Sequence, residues 1–120
     1  MSENSLVSIS RDRTIRIWDA LLPPFNQKYE FVSPGDQPLC LSMHPNGLYF
    51  AGGFESGYLR VFGIDDYKQH VESLAYEEVP ILVSDYCPDS RYLAILKSNG
   101  RIVIYDIKDR AYEPVKSIEH

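Results

Sequence analysis

The stretch Ile15-Arg16-Ile17-Trp18-Asp19 has two later counterparts, Tyr58-Leu59-Arg60-Val61-Phe62-Gly63 and Arg101-Ile102-Val103-Ile104-Tyr105-Asp106. Trp18 and Phe62 lie 44 residues apart, and Phe62 and Tyr105 lie 43 apart. Two turns keep the same step. His44-Pro45-Asn46-Gly47 returns as Cys87-Pro88-Asp89-Ser90, and Glu55-Ser56-Gly57 returns as Ser98-Asn99-Gly100. Three features held in one register make a repeat, a unit that buries its apolar faces only against copies of itself.

Within one period the residues read as four short antiparallel strands. Tyr29 to Val32 comes first. Leu39 to Met43 then alternates Leu39, Leu41 and Met43 against Cys40 and Ser42. Pro45-Asn46-Gly47 turns the chain, Leu48 to Ala51 returns, and Gly57 permits the turn into Tyr58 to Phe62. The third period repeats the pattern with Val71 to Tyr76, Ile81 to Asp85, Tyr92 to Leu96 and Arg101 to Asp106. Runs such as Tyr92-Leu93-Ala94-Ile95-Leu96 are apolar on both faces, as expected of sheets covered on both sides. Radial stacking of four-stranded sheets is a β-propeller.

Composition agrees. Ile and Val number 18 against five Ala, which favours strands over helices. The chain has 120 residues, 44% hydrophobic and 24% charged, the mix of a globular domain. No apolar run approaches the ~20 residues of a membrane helix, and Met1-Ser2-Glu3-Asn4 lacks the basic start of a secretory signal. A net charge of −5 and a pI near 5.1 argue against nucleic acid as partner. Two cysteines, Cys40 and Cys87, without metal-ligand spacing suit a reducing, intracellular and cytoplasmic setting.

Ser10-Arg11-Asp12-Arg13-Thr14-Ile15-Arg16-Ile17-Trp18-Asp19 resembles the end of a repeat of the WD-repeat family, and the likeness extends over nearly the whole chain. In that family an Asp of the tight turn joins a network with the Trp indole, a Ser or Thr, and a His. The resemblance places the Asp at Asp12, the indole at Trp18 and the hydroxyl at Ser8 or Ser10, and puts the network's His upstream of Met1. The later repeats carry Ser56 and Asn99 for the Asp, and Phe62 and Tyr105 for the Trp; Gly35-Asp36 is the nearest approach to the family's Gly-His. Those two repeats are therefore expected to rest on apolar packing. Asp12, Trp18, Phe62 and Tyr105 are structural residues in this reading.

A narrower likeness runs from Tyr29-Glu30-Phe31 through Pro38-Leu39-Cys40-Leu41-Ser42-Met43-His44-Pro45 to Gly52-Gly53-Phe54-Glu55-Ser56-Gly57-Tyr58-Leu59-Arg60-Val61-Phe62. It is similar to the large WD-repeat proteins of the centriole and ciliary microtubule wall. It implies a cytoskeletal location, with tubulin or a centriolar or ciliary structural protein as partner.

The expected fold is all-β: a partial propeller of about two and two-thirds four-stranded antiparallel blades. The expected units are the end of a first blade over 1–23, a second over 24–66, a third over 67–109, and the first strand of a further blade over 110–120. A propeller has four to eight blades, so the chain reads as a fragment closed by the remaining blades of a parent chain or by another chain. Each open face would bare roughly 400–600 Å², worth on the order of 10–15 kcal/mol. The isolated 120 residues are therefore expected to aggregate, self-associate or remain only partly folded.

No catalytic, cofactor or metal constellation stands out. His44, His70 and His120 lack ligand neighbours at suitable spacing, and His44 reads as an exposed turn residue. Asp65-Asp66 and Glu77-Glu78 read as solvated loop carboxylates. What remains is surface. The family resemblance implies a binding rim made of the loops before the inner strand and between the third and fourth strands. Those loops hold Arg11 and Arg13, Asp36 and Gln37, Phe54 and Glu55, Val79 and Pro80, Lys97 and Ser98. Phe54 is either an exposed interface anchor or packing over its own blade. The function expected is a non-enzymatic protein-interaction scaffold. The alternative is a recognition propeller of an enzyme complex, such as a ubiquitin ligase or chromatin modifier.

Overall fold

The computed structural model describes residues 5–19, 26–32, 35–74, 77–108 and 111–119. Eleven strands form in chain order among them: β1 Ser5–Ile9, β2 Thr14–Asp19, β3 Asn26–Val32, β4 Pro38–Met43, β5 Tyr49–Phe54, β6 Tyr58–Gly63, β7 Gln69–Leu74, β8 Ile81–Tyr86, β9 Tyr92–Lys97, β10 Ile102–Lys108 and β11 Ala111–Ile118. Every pairing is antiparallel between neighbours in sequence, giving three sheets: β1-β2-β3, β4-β5-β6-β7 and β8-β9-β10-β11.

The repeat is written into the backbone. The ladder shifts between Ile17 and Trp18, again between Val61 and Phe62, and again between Ile104 and Tyr105. These bulges fall on the repeated aromatic position and add local twist to each outer hairpin. A second bulge, between Pro38 and Cys40, recurs between Ile81 and Val83. The turns β1–β2, β5–β6 and β9–β10 each need one residue with φ > 0, supplied by Arg13, Gly57 and Gly100.

Sheet boundaries do not coincide with sequence periods. Asn26–Val32 pairs backward with β2, and Ala111–Ile118 pairs backward with β10. The sheets therefore span 5–32, 38–74 and 81–118, where the sequence suggests breaks near 23, 66 and 109. The segment expected to open a further blade is the fourth strand of the third sheet. Hairpin closure with the preceding strand costs less chain entropy than a longer connection to the next sheet. The expected strand over 71–76 begins two residues earlier, and its last two positions lie outside the described residues.

Two apolar layers hold the three sheets face to face. Ile15 and Ile17 meet Phe50, Phe54, Phe62 and Ile64 between the first and second sheets. Between the second and third, Ala51, Leu59 and Val61 meet Ile81, Leu93, Ile95, Val103 and Tyr105. Phe31, Phe50 and Phe62 form an aromatic group with centroid distances of 4.7–6.1 Å. Gly53 lets the third sheet approach closely, since a Cβ there would lie 2.4 Å from Ile81 Cγ2 and 2.7 Å from Cys40 Sγ.

Candidate protein-binding rim

The turns 10–13, 54–57 and 97–100 and the links leading into β4 and β8 lie at one end of the stack. Hydrogen bonds tie them together. Gln37 Nε2 donates to the Ser10 carbonyl at 2.7 Å, Glu55 N to the Gln37 carbonyl at 2.8 Å, and Ser98 N to the Pro80 carbonyl at 2.9 Å.

Each sheet then fixes its part of the rim with an arginine held between two carboxylates. Arg16 reaches Asp12 at 2.9 Å and Glu30 at 3.0 Å. Arg60 reaches Asp36 at 2.7 Å and Glu72 at 2.9 Å. Arg101 reaches Glu77 at 3.1 Å and Glu119 at 2.6 Å, and donates to Ser117 Oγ at 2.7 Å. In every case one carboxylate sits in a rim loop and the other on or just beyond the outer strand. The guanidinium fork thus bolts the loop to the sheet edge.

The apolar-only expectation for the second and third repeats is wrong, because both carry a polar network with its parts exchanged. In the first, the turn supplies the acid: Asp12 accepts from Thr14 N and Oγ1. In the second, the acid comes from the preceding loop and the turn supplies the hydroxyl: Asp36 accepts from Ser56 N at 3.1 Å and Ser56 Oγ at 2.7 Å. The third is arranged likewise, with Glu77 Oε1 accepting from Asn99 Nδ2 at 2.7 Å. Burial alone would raise the Asp36 pKa, but the Ser56 and Arg60 hydrogen bonds outweigh it and hold the carboxyl below its ordinary value. The Asn99 hydrogen bond, with Arg101 beside it, lowers Glu77 similarly. Glu77, read from sequence as solvated, is thus a hub of the rim.

Trp18 Nε1 donates to Ser8 Oγ at 2.9 Å, which decides between the two candidate hydroxyls. Asp12 bonds Thr14 and Arg16. Phe62 and Tyr105 are buried in the two apolar layers.

Of the expected surface residues, Arg11, Arg13, Glu55 and Ser98 are exposed. Phe54 is fully buried, with the Arg60 guanidinium 4.4 Å above its ring, so it packs its own blade. Lys97 is 1% exposed, with Nζ donating to the Glu77 carbonyl at 2.9 Å. Burial pushes its ammonium below the ordinary lysine range, against the pull of Glu77. Asp36 and Gln37 turn inward to the contacts above. The outward-facing part of the predicted set is therefore Arg11, Arg13, Glu55 and Ser98, on a frame that Asp36, Gln37, Phe54 and Lys97 help build. The Arg–carboxylate pairs were hard to see in sequence: Asp36–Arg60 and Glu77–Arg101 share a 24-residue spacing, but Asp12–Arg16 spans 4 and the outer-strand partners lie 12 to 18 residues away.

Residues 2–19 match the family model "WD domain, G-beta repeat". WD repeat-containing protein 90 of Homo sapiens is 34% identical over 104 residues, covering 87% of this chain and 6% of that protein. The β-propeller domain of Cps50 (Swd1) from Myceliophteria thermophila superposes with a TM-score of 0.80 over 98% of the chain and 41% of its own length. At 10% identity that likeness shows the fold alone. The chain belongs to the WD-repeat family. This WD-repeat segment forms three unclosed blades of a propeller. Transcription initiation factor TFIID subunit 5 of Caenorhabditis elegans is a more distant relative, 26% identical over 92% of the chain and 16% of that protein. WD-repeat propellers generally bind other proteins as non-catalytic scaffolds.

Proposed function

We propose that this WD-repeat segment is a non-enzymatic platform for another protein, with Arg11, Arg13 and Glu55 presented on the rim for contact. The observation that supports it is the trio of arginine–carboxylate clamps, which hold the loops before any partner arrives. A preformed surface loses little conformational entropy on binding. The proposed setting is intracellular and cytoplasmic, in a centriolar or ciliary microtubule-associated assembly. The similarity of residues 29–62 to centriolar and ciliary WD-repeat proteins supports it. Tubulin or a neighbouring structural protein is the proposed partner. The net charge of −5 does not favour acidic tubulin tails, so such a contact needs the local charges of Arg11 and Arg13.

The test is proximity labelling in ciliated cells with the full-length protein and its Arg11→Glu/Arg13→Glu variant. Recovery of centriolar or axonemal proteins by the wild type, reduced several-fold in the variant, is expected. Equal recovery by both would overturn the rim assignment, and recovery of nuclear proteins alone would overturn the setting. The second outcome would favour the other reading, a recognition propeller within a nuclear or enzyme complex, which the TFIID relative supports.

A further inference from the structure

At the opposite end of the stack, the β4–β5 and β6–β7 turns border a cleft between the second and third sheets. One part is a cavity of about 270 Å³ walled by Leu48, Tyr49, Val61, Val71 and Tyr112, with His44 and His70 at its edges. A second hollow of about 190 Å³ shares Leu48 and Tyr49 and adds Gly63, Asp65 and Asp66. One half of the cleft is aromatic and apolar with a polar edge of His44, Asn46 and His70, and the other is bordered by Asp65 and Asp66.

Its acidic half is built. Gly63 stands where the repeat has Asp19 and Asp106, and the missing side chain makes room for Asp66, whose Oδ1 would lie 2.0 Å from a Cβ there. Asp66 Oδ1 accepts from Lys68 N at 3.1 Å, and Oδ2 pairs with His70 Nε2 at 2.7 Å. Each oxygen keeps a lone pair for a further donor. Tyr49 stands edge-on to His70 at 5.4 Å, and His44 packs against Tyr86 at 4.9 Å, so His44 belongs to the wall rather than to a free turn.

We propose that this cleft receives an arginine side chain of a partner protein. An arginine is itself apolar along its stem and cationic at its head, so it matches the two halves in one side chain. Its planar guanidinium can lie on the Tyr49 ring while forking toward Asp66. The neighbouring Asp65 and the negative net charge repel an acidic group. This inference rests on the protein-binding reading above but uses the other rim.

The test titrates N-acetyl-arginine methylamide into the full chain and follows the imidazole NMR signals of His44 and His70. N-acetyl-glutamate and N-acetyl-leucine methylamides serve as comparison probes. Saturable shifts with the arginine probe only are expected, with affinity falling about tenfold in Asp66→Asn. Leu48→Phe, which narrows the cleft without adding a charge that could pair with Asp66, should also abolish them. Equal response to the leucine or glutamate probe, no saturable shift, or unchanged binding in both variants with the β-sheet circular dichroism intact would overturn the assignment. Partner recovery with the Arg11 and Arg13 variant reads the other rim, so failure here leaves that result standing.

Discussion

Lys97 occupies in the third sheet the place that Phe54 holds in the second. The two lie 43 residues apart, each ends the strand before the rim turn, and both are buried. Phe54 fills its site with a ring under Arg60. Lys97 fills the same site with a four-carbon stem and uses its ammonium to hold the Glu77 carbonyl. Lys97→Met keeps the volume and should cost less than about 1 kcal/mol. Lys97→Ala loses the same ammonium donor as Lys97→Met and also opens a cavity, so a loss of about 2–4 kcal/mol is expected. Urea unfolding followed by tryptophan fluorescence measures both. Equal losses in the two variants would show that the charge, not the stem, matters at this position.

The Asp36 carboxyl lies below its ordinary value of 3.8 in the folded chain, through Ser56 and Arg60 acting against burial. The unfolded chain takes up the proton first as pH falls, so stability rises with pH across this interval. The contribution is complete above about pH 4 and is lost as pH falls through the native value. Asp36→Asn should cost about 1–2 kcal/mol at pH 7, with the difference from wild type shrinking as the pH falls below the ordinary carboxylate range. Thermal melts at five pH values from 2.5 to 7 test this. A difference that stays constant over that range would assign the loss to something other than the carboxylate.

The residues that made the fold legible are those whose spacing the blade geometry enforces. Trp18, Phe62 and Tyr105 mark a bulge that every blade needs at one place, so their 43- and 44-residue steps reveal three sheets. The outer strands were harder. β3 and β11 are mostly exposed and polar, and such strands carry little alternation to say which sheet they join. Their membership is decided by hairpin closure, which sequence period does not record. The rim was half legible. Arg11, Arg13 and Glu55 are where the family resemblance implies. Phe54 and Lys97, however, sit at a strand end whose burial is set by the neighbouring sheet, and no local pattern shows that. The rim carboxylate of Arg16 comes from the β1–β2 turn and those of Arg60 and Arg101 from the loops before β4 and β8, so spacing hides in the first repeat a contact that the fold makes three times.

Gly53 and Gly47 separate two reasons for glycine. Gly53 has no positive φ, and its cost lies in space: a Cβ meets Ile81 and Cys40 at under 3 Å. Gly47 has φ +75 and open space around it. Gly53→Ala must push the second and third sheets apart and should lose about 2–3 kcal/mol. Gly47→Ala should lose about 1 kcal/mol, and Gly47→Asn less, because Asn tolerates the left-handed region. Differential scanning calorimetry of the three variants gives the order. Gly47→Ala as costly as Gly53→Ala would mean that the sheets are not packed as closely as described.

The repeat also shows what the open face of the third sheet resembles. Ile15 and Ile17 face the second sheet, Leu59 and Val61 face the third, and all four are buried. Ile102 and Ile104 hold the same positions in the third sheet but are only half-buried, in line with the exposed Val83 and beside Val115 and an apolar hollow of about 380 Å³. An apolar face of this kind drives association in water. Ile104→Lys should therefore raise the monomer fraction of the 120-residue chain in sedimentation velocity with little change in its urea midpoint. The same substitution at the equivalent buried position, Ile17→Lys, forces a charge between two sheets and should abolish the cooperative transition. If Ile104→Lys unfolds the chain as Ile17→Lys does, Ile104 must already be covered within one molecule. If it leaves association unchanged, another surface joins the copies.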